Sequence, residues 1–119
     1  MVAHGIDDPH EIVAGPDGNL WFTGDYTVGR ITTSGVVTVF SGGAIKTPAS
    51  IVAGPDGNLW YLDVGSSGKL ARITPDGVVT TFATRYPRGL TVGPDGNLWL
   101  TTDSNTITRV TPTGVADMF

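Results

Sequence analysis

"GPDGNLW" occupies residues 15–21, returns at 54–60 and again at 93–99, so each copy starts 39 residues after the one before. A fixed period of roughly 20–50 residues is the mark of a solenoid, a propeller or an array of repeats. The likeness runs well beyond seven letters. From Ile12 the units read "IVAGPDGNLWFTGDYTVGRITTSGVVTVF", from Ile51 "IVAGPDGNLWYLDVGSSGKLARITPDGVVTTF" and from Leu90 "LTVGPDGNLWLTTDSNTITRVTPTGVADMF". The stretches ahead of them, "MVAHGIDDPHE", "SGGAIKTPAS" and "ATRYPRG", are unlike one another. Between Trp60 and Ile73 the second unit carries three residues more than the first has between Trp21 and Ile31, and the connector after it is three shorter. Length therefore changes only where loops are expected.

Each unit reads as four short strands separated by turn chemistry, and no stretch sustains an apolar period of 3.6, which excludes the helical repeats of similar length. The first strand, Glu11 to Ala14 in the first unit, meets "GPDGN", where Pro presets φ and Asp and Gly accept turn conformations. It should hairpin into "LWFT", "LWYL" or "LWLT". Leu20 and Phe22 point one way and Trp21 the other, so both faces of this second strand are expected to be covered. The third strand is "GRIT", "ARIT" or "TRVT"; after a turn of "TSG", "TPDG" or "TPTG" comes the fourth, "VVTVF", "VVTTF" or "VADMF".

Four antiparallel strands in about 40 residues, repeated in series and buried on both sides, are what a β-propeller blade requires. The predicted fold is all-β: three four-stranded antiparallel propeller blades, at about residues 1–40, 41–82 and 83–119. A linear β-solenoid is the competing architecture, although its coils are usually shorter and lack paired hairpin turns. The three Trp read as packing residues between blades, with ligand platforms as the alternative. Arg30, Arg72 and Arg109 precede the Ile or Val of every third strand, a repetition expected of a structural hydrogen bond or ion pair more than of an anion site.

Composition narrows the class. With 39% hydrophobic and 15% charged residues the chain is globular, and it has neither a long apolar run nor a charged low-complexity tract. A net charge of −4 without a basic cluster argues against nucleic-acid binding. No membrane partner is expected either. The absence of cysteine excludes disulfides and thiolate metal sites without fixing a compartment. The opening residues have neither the charged nor the apolar region of a signal peptide, and localisation stays open.

At "PHEI" followed by "GPDGNLWFT" and "VGRITTSGVVTVF", residues 9–40, the chain resembles the virginiamycin B lyase (streptogramin lyase) family and, more distantly, NHL-type propellers. The resemblance extends over residues 9–119. It implies a seven-bladed single-chain propeller that opens the streptogramin B lactone by elimination with Mg²⁺. The family's catalytic histidine corresponds to His10, a residue able to act as general base or acid near neutral pH. The matching places in the other units hold Ala49 with Ser50 and Arg88 with Gly89. The family's acidic residue after "LWFT" becomes Gly24, Asp63 and Thr102, with Asp25 adjacent to Gly24 as a substitute. The implied catalytic candidates are thus His10 and Asp63, with Asp25, Ser50, Arg88 and Thr102 as channel-mouth ligand candidates.

"DDPHE" supplies a second set. Hard cations take several oxygen ligands, which Asp7, Asp8 and Glu11 can offer beside His10; a solvated acidic connector is the alternative. Three blades make only an open arc, whose end faces would be left apolar and uncovered. Met1 falls at the position of Phe40 and Phe82, and Phe119 fills it again, so a second copy placed head-to-tail would continue the register. The expected partner is the chain itself, as a homodimer of six blades or a homotrimer of nine. Two functions follow: a self-assembling scaffold, natural or engineered, with at most small-ligand or ion binding at the channel mouth and no cofactor needed for the fold, or a Mg²⁺-dependent lyase with a site formed across chains. A fragment of a larger propeller is the third reading.

Overall fold

The computed structural model describes residues 6, 8–65, 68–84, 86–103 and 105–119. Within them the chain forms twelve strands and no helix. The first sheet holds β1 (Glu11–Ala14), β2 (Leu20–Gly24), β3 (Thr27–Ile31) and β4 (Val37–Ser41). The second holds β5 (Pro48–Ala53), β6 (Leu59–Asp63), β7 (Lys69–Ile73) and β8 (Val79–Ala83), and the third β9 (Pro87–Val92), β10 (Leu98–Thr102), β11 (Ile107–Val110) and β12 (Ala116–Met118). Each sheet is a simple antiparallel meander in sequence order. Strands β1, β5 and β9 are neighbours, so the blades converge on their first strands and splay at their fourth.

The geometry of the first hairpin accounts for the repeated heptapeptide residue by residue. The amide of Gly15 donates to the carbonyl of Asn19 at 2.8 Å, closing the loop. One carboxylate, Asp17, then accepts from the Asn19 amide, the Asn19 side chain and the indole N–H of Trp21 at 3.2, 3.0 and 3.0 Å. Gly18 turns the chain at φ 83°, and Gly15 lies so close to the indole that a Cβ would sit 2.4 Å from its ring. Asp56 and Asp95 make the same three bonds in the other blades. The turn therefore aims the Trp as well as reversing the chain.

These bonds carry a pH dependence. At Asp17 and Asp56 burial opposes ionisation, but the bonds from Trp and Asn outweigh it and hold the carboxyl below its ordinary value. At Asp95 the bonds from Trp99 and Asn97 dominate outright. A carboxyl whose folded pKa is depressed contributes stability above its unfolded pKa and loses it as pH falls through the folded one. The melting temperature is therefore expected to hold down to about pH 4 and then to fall. Asp56→Asn, measured by thermal melts across that range, should flatten part of the decline and lower the free energy of unfolding on the plateau by about 1 kcal/mol.

Packing between blades follows one rule, applied twice. The Trp face of the first blade, with Trp21 and Val28, packs on Ile51, Leu59, Tyr61, Ala71 and Ile73 of the second. The Trp face of the second, with Trp60, Leu62 and Leu70, packs on Leu98, Leu100 and Val110 of the third. In each blade the Trp stacks on a fourth-strand Phe or on Phe119, with centroids 5.5–5.8 Å apart. The guanidinium beside each pair lies over both rings. Arg30 then reaches across to the carbonyl of Pro75 at 2.7 Å, and Arg72 to that of Pro112 at 3.1 Å. These arginines are blade-to-blade fasteners. Arg109, in the last blade, bonds Asp117 at 2.8 Å.

Candidate functional site

The blades bring the starts of their first strands and their second hairpin turns to one end of the inner side. In the first blade that turn is only Asp25 and Tyr26, because Gly24 already pairs with Thr27. His10 enters from the other direction, its amide donating to the carbonyl of Thr23 at 2.8 Å. Its Nε2 lies 3.1 Å from Asp25 Oδ1. Asp8 completes the group: one ligand atom from each of Asp8, His10 and Asp25 falls within 4.8 Å of the others, and all three residues are exposed.

A cleft of about 200 Å³ opens beside this group, lined by His10, Gly24, Asp25, Tyr26, Lys46 and Thr47. Two of its lining residues, Lys46 and Thr47, are held through their backbone by Asp63, which does not itself line it. Both oxygens of that carboxylate are taken up by backbone amides, of Lys46 at 2.8 Å, Thr47 at 2.9 Å and Gly65 at 3.3 Å, and the residue is 2% exposed. Asp63 holds the 46–47 loop in place and does not join the His10 group. Tyr61 lies in the same region, and burial, followed by the Asp63 charge, pushes its phenol well up.

The remaining candidates are dispersed. Arg88 pairs with Asp103 in the third blade, at the positions that His10 and Asp25 hold in the first, and both are exposed. Ser50 is half-buried in β5, beside Ala49, whose carbonyl accepts the Thr23 hydroxyl at 2.9 Å. Thr102 bonds the carbonyl of Thr106 at 3.3 Å within its own turn. Asp7 lies outside the described residues. Of the other metal ligands read from sequence, Asp8 stands with His10 and Asp25 among the described residues. Glu11 and His10 are consecutive in extended chain, so their side chains point apart, whereas the hairpin returns Asp25 to the His10 side. Glu11 and His10 both border a groove with Ile6, Pro9, Ile12, Phe22 and Ile31.

The donor set suits a hard cation. Mg²⁺ is commonly held through one or two carboxylates and keeps several waters, which an exposed pair of aspartates with a neighbouring imidazole can satisfy. The same contact orients the imidazole, since a proton on Nε2 shared with Asp25 leaves the Nδ1 lone pair to accept another.

The family model for the virginiamycin B lyase family matches residues 2–119, all but the first residue of the chain. The chain belongs to the virginiamycin B lyase family. The structure of selenomethionine-substituted virginiamycin B lyase from Staphylococcus aureus superposes with a TM-score of 0.88 at 30% identity, over 100% of this chain and 43% of that one. A catalytically inactive histidine-to-alanine form of the S. aureus enzyme, with quinupristin, gives the same values. A streptogramin B lyase structure follows with a TM-score of 0.86 at 28% identity, over 99% of this chain and 42% of that one. The chain thus spans less than half the length of these lyases. Comparison with curated proteins gives no match.

Proposed function

We propose that this member of the virginiamycin B lyase family contributes the acid–base and cation-holding part of a carbon–oxygen lyase site, acting on a streptogramin B type lactone. The observation that carries the reading is the meeting of Asp8, His10 and Asp25 at one end of the inner strands. Elimination from a lactone needs a base to take a proton from the carbon next to the one that loses the ester oxygen, and the oxygen leaves as carboxylate. His10, held through Asp25, is the base, and afterwards it returns the proton to solvent. Asp8 and Asp25 would hold Mg²⁺, which when bound supplies Lewis acidity toward a carbonyl oxygen. Asp63 contributes only by fixing the loop that walls the cleft.

The test is incubation with quinupristin and Mg²⁺, with the linear product read by mass spectrometry. Turnover that falls about a hundredfold in His10→Ala supports the lyase reading. A second reading has its own observation: the His10 position is Ala49 and Arg88 in the other blades, and the Asp63 carboxylate is wholly engaged by the backbone. That reading is a noncatalytic scaffold, and the absence of product at high protein concentration favours it.

A further inference from the structure

The cleft of about 200 Å³ beside His10 lies between the first and second blades, so both its walls belong to this chain. The first blade gives it the imidazole, Asp25 and Tyr26. The second gives it Lys46 and Thr47, the end of the loop that leads into β5. Lys46 is exposed, and its ammonium makes no ion pair among the described residues. Asp25, the carboxylate on the other wall, is paired with His10 at 3.1 Å. A cation thus borders the same opening as the base, with its charge unanswered by the protein.

The backbone beneath that lysine is held on both sides. Ile45 before it is buried in the core between the two blades, and its amide donates to the carbonyl of Gly42 at 3.1 Å. Thr47 after it accepts from the amide of Val64 at 3.0 Å. The amides of Lys46 and Thr47 themselves donate to Asp63 at 2.8 and 2.9 Å. Burying a carboxylate is costly unless donors meet its oxygens. The blade as such does not require this one: the matching residues are Gly24 in the first blade and Thr102 in the third, and both form the same four-stranded meander. The clamp belongs to the one blade whose leading loop borders the His10 cleft. It fixes the main chain and leaves the Lys46 side chain outside.

We infer that Lys46 binds the carboxyl group that ring opening releases, an inference that rests on the lactone reading above. When the base takes its proton, a carbon–carbon double bond forms, the adjacent carbon–oxygen bond breaks, and the electron pair leaves with the oxygen. A neutral ester thereby becomes a carboxylate. An ammonium is a point charge with three donors, so its attraction for this group grows as the bond breaks and is weak while the ester is intact. An interaction stronger at the transition state than in the ground state is the kind that speeds a reaction. His10 serves the proton side of the elimination, and Lys46 serves the leaving oxygen.

The test reads binding, separately from turnover. Two probes are titrated calorimetrically without Mg²⁺, so that no added cation competes for the carboxylate: intact quinupristin, and the linear acid made by opening its lactone in alkali. Lys46→Met keeps an unbranched stem and the amide that Asp63 holds, so its far-UV circular dichroism spectrum should match the parent's. It should bind the acid about tenfold more weakly than the parent, the size of one charge-assisted bond, and the lactone within about twofold. Lys46→Arg, which retains the charge, should recover most of the acid binding. Added salt should weaken the acid in the parent and hardly at all in Lys46→Met. Failure of the parent to bind the acid, equal acid binding by parent and Lys46→Met, or equal loss of both probes in that variant overturns the assignment. Lys46-dependent acid binding without any turnover of quinupristin upholds the carboxylate site and sinks the lyase reading alone. Turnover with acid binding indifferent to Lys46 does the reverse.

Discussion

Trp60→Ala is expected to lower the free energy of unfolding by about 3–5 kcal/mol, the range for deleting a large buried aromatic. The indole is inaccessible to solvent and sits in the cluster joining the second and third blades. It stacks on Phe82 at 5.5 Å, lies under the Arg72 guanidinium at 5.6 Å and gives its N–H to Asp56 at 3.0 Å. Removal leaves a cavity between blades and takes a bond from the carboxylate that organises the turn. A small domain has only about 5–15 kcal/mol in total, so the variant should be largely unfolded at moderate urea concentrations that leave the parent folded. Urea titration followed by far-UV circular dichroism measures it. Trp99→Ala supplies the comparison: Trp99 has the same Asp, Phe and Arg partners but is only half-buried among the described residues, so its loss should cost less. Equal costs would contradict the importance assigned to the packing between blades.

Gly77→Val is expected to cost about 2–5 kcal/mol from two separable causes. Gly77 has φ 93°, a left-handed backbone that costs a β-carbon residue about 1–2 kcal/mol. A Cβ there would also stand 2.5 Å from two ring atoms of Phe40, and forcing the ring away adds about 1–3 kcal/mol of overpacking. Gly35→Val isolates the first cause. Its φ is 96° but nothing lies within 4 Å of where a Cβ would be, so only the backbone penalty should remain. The difference between the two variants in the same titration measures what the Phe-on-turn contact contributes to holding blades together. No difference would mean that Phe40 rests on the turn without supporting it.

Much of the blade was legible because its signals are local. The turn residues of "GPDGN", the Leu-Trp pair and the second turn each act within a few positions, so strand order and blade count follow from adjacent letters. The first strand, Glu11 to Ala14, coincides with β1. The role of Arg30 and Arg72 was legible only in half. The repeating donor is a letter, but the acceptor is a backbone carbonyl 45 or 40 residues away, and carbonyls leave no trace in composition or spacing. Asp63 shows the same limit from the other side. Its place after "LWYL" resembled that of a catalytic acid, yet two of the three amides that claim it come from residues 46 and 47, 17 and 16 positions earlier.

The candidate site divides along the same line. His10 stood out through "PHEI", and Asp8 through its neighbours, but sequence proximity grouped them with Glu11. Folding adds Asp25, because a two-residue turn between β2 and β3 carries it back over fifteen positions to 3.1 Å from the imidazole. By itself, then, the sequence determined the unit, its four strands and its number, since hairpin chemistry and period-two alternation act over a few residues. Which face of each blade meets the next, and which carboxylate meets His10, was decided only in three dimensions, where the bonds join a side chain to a distant backbone or to the far arm of a hairpin.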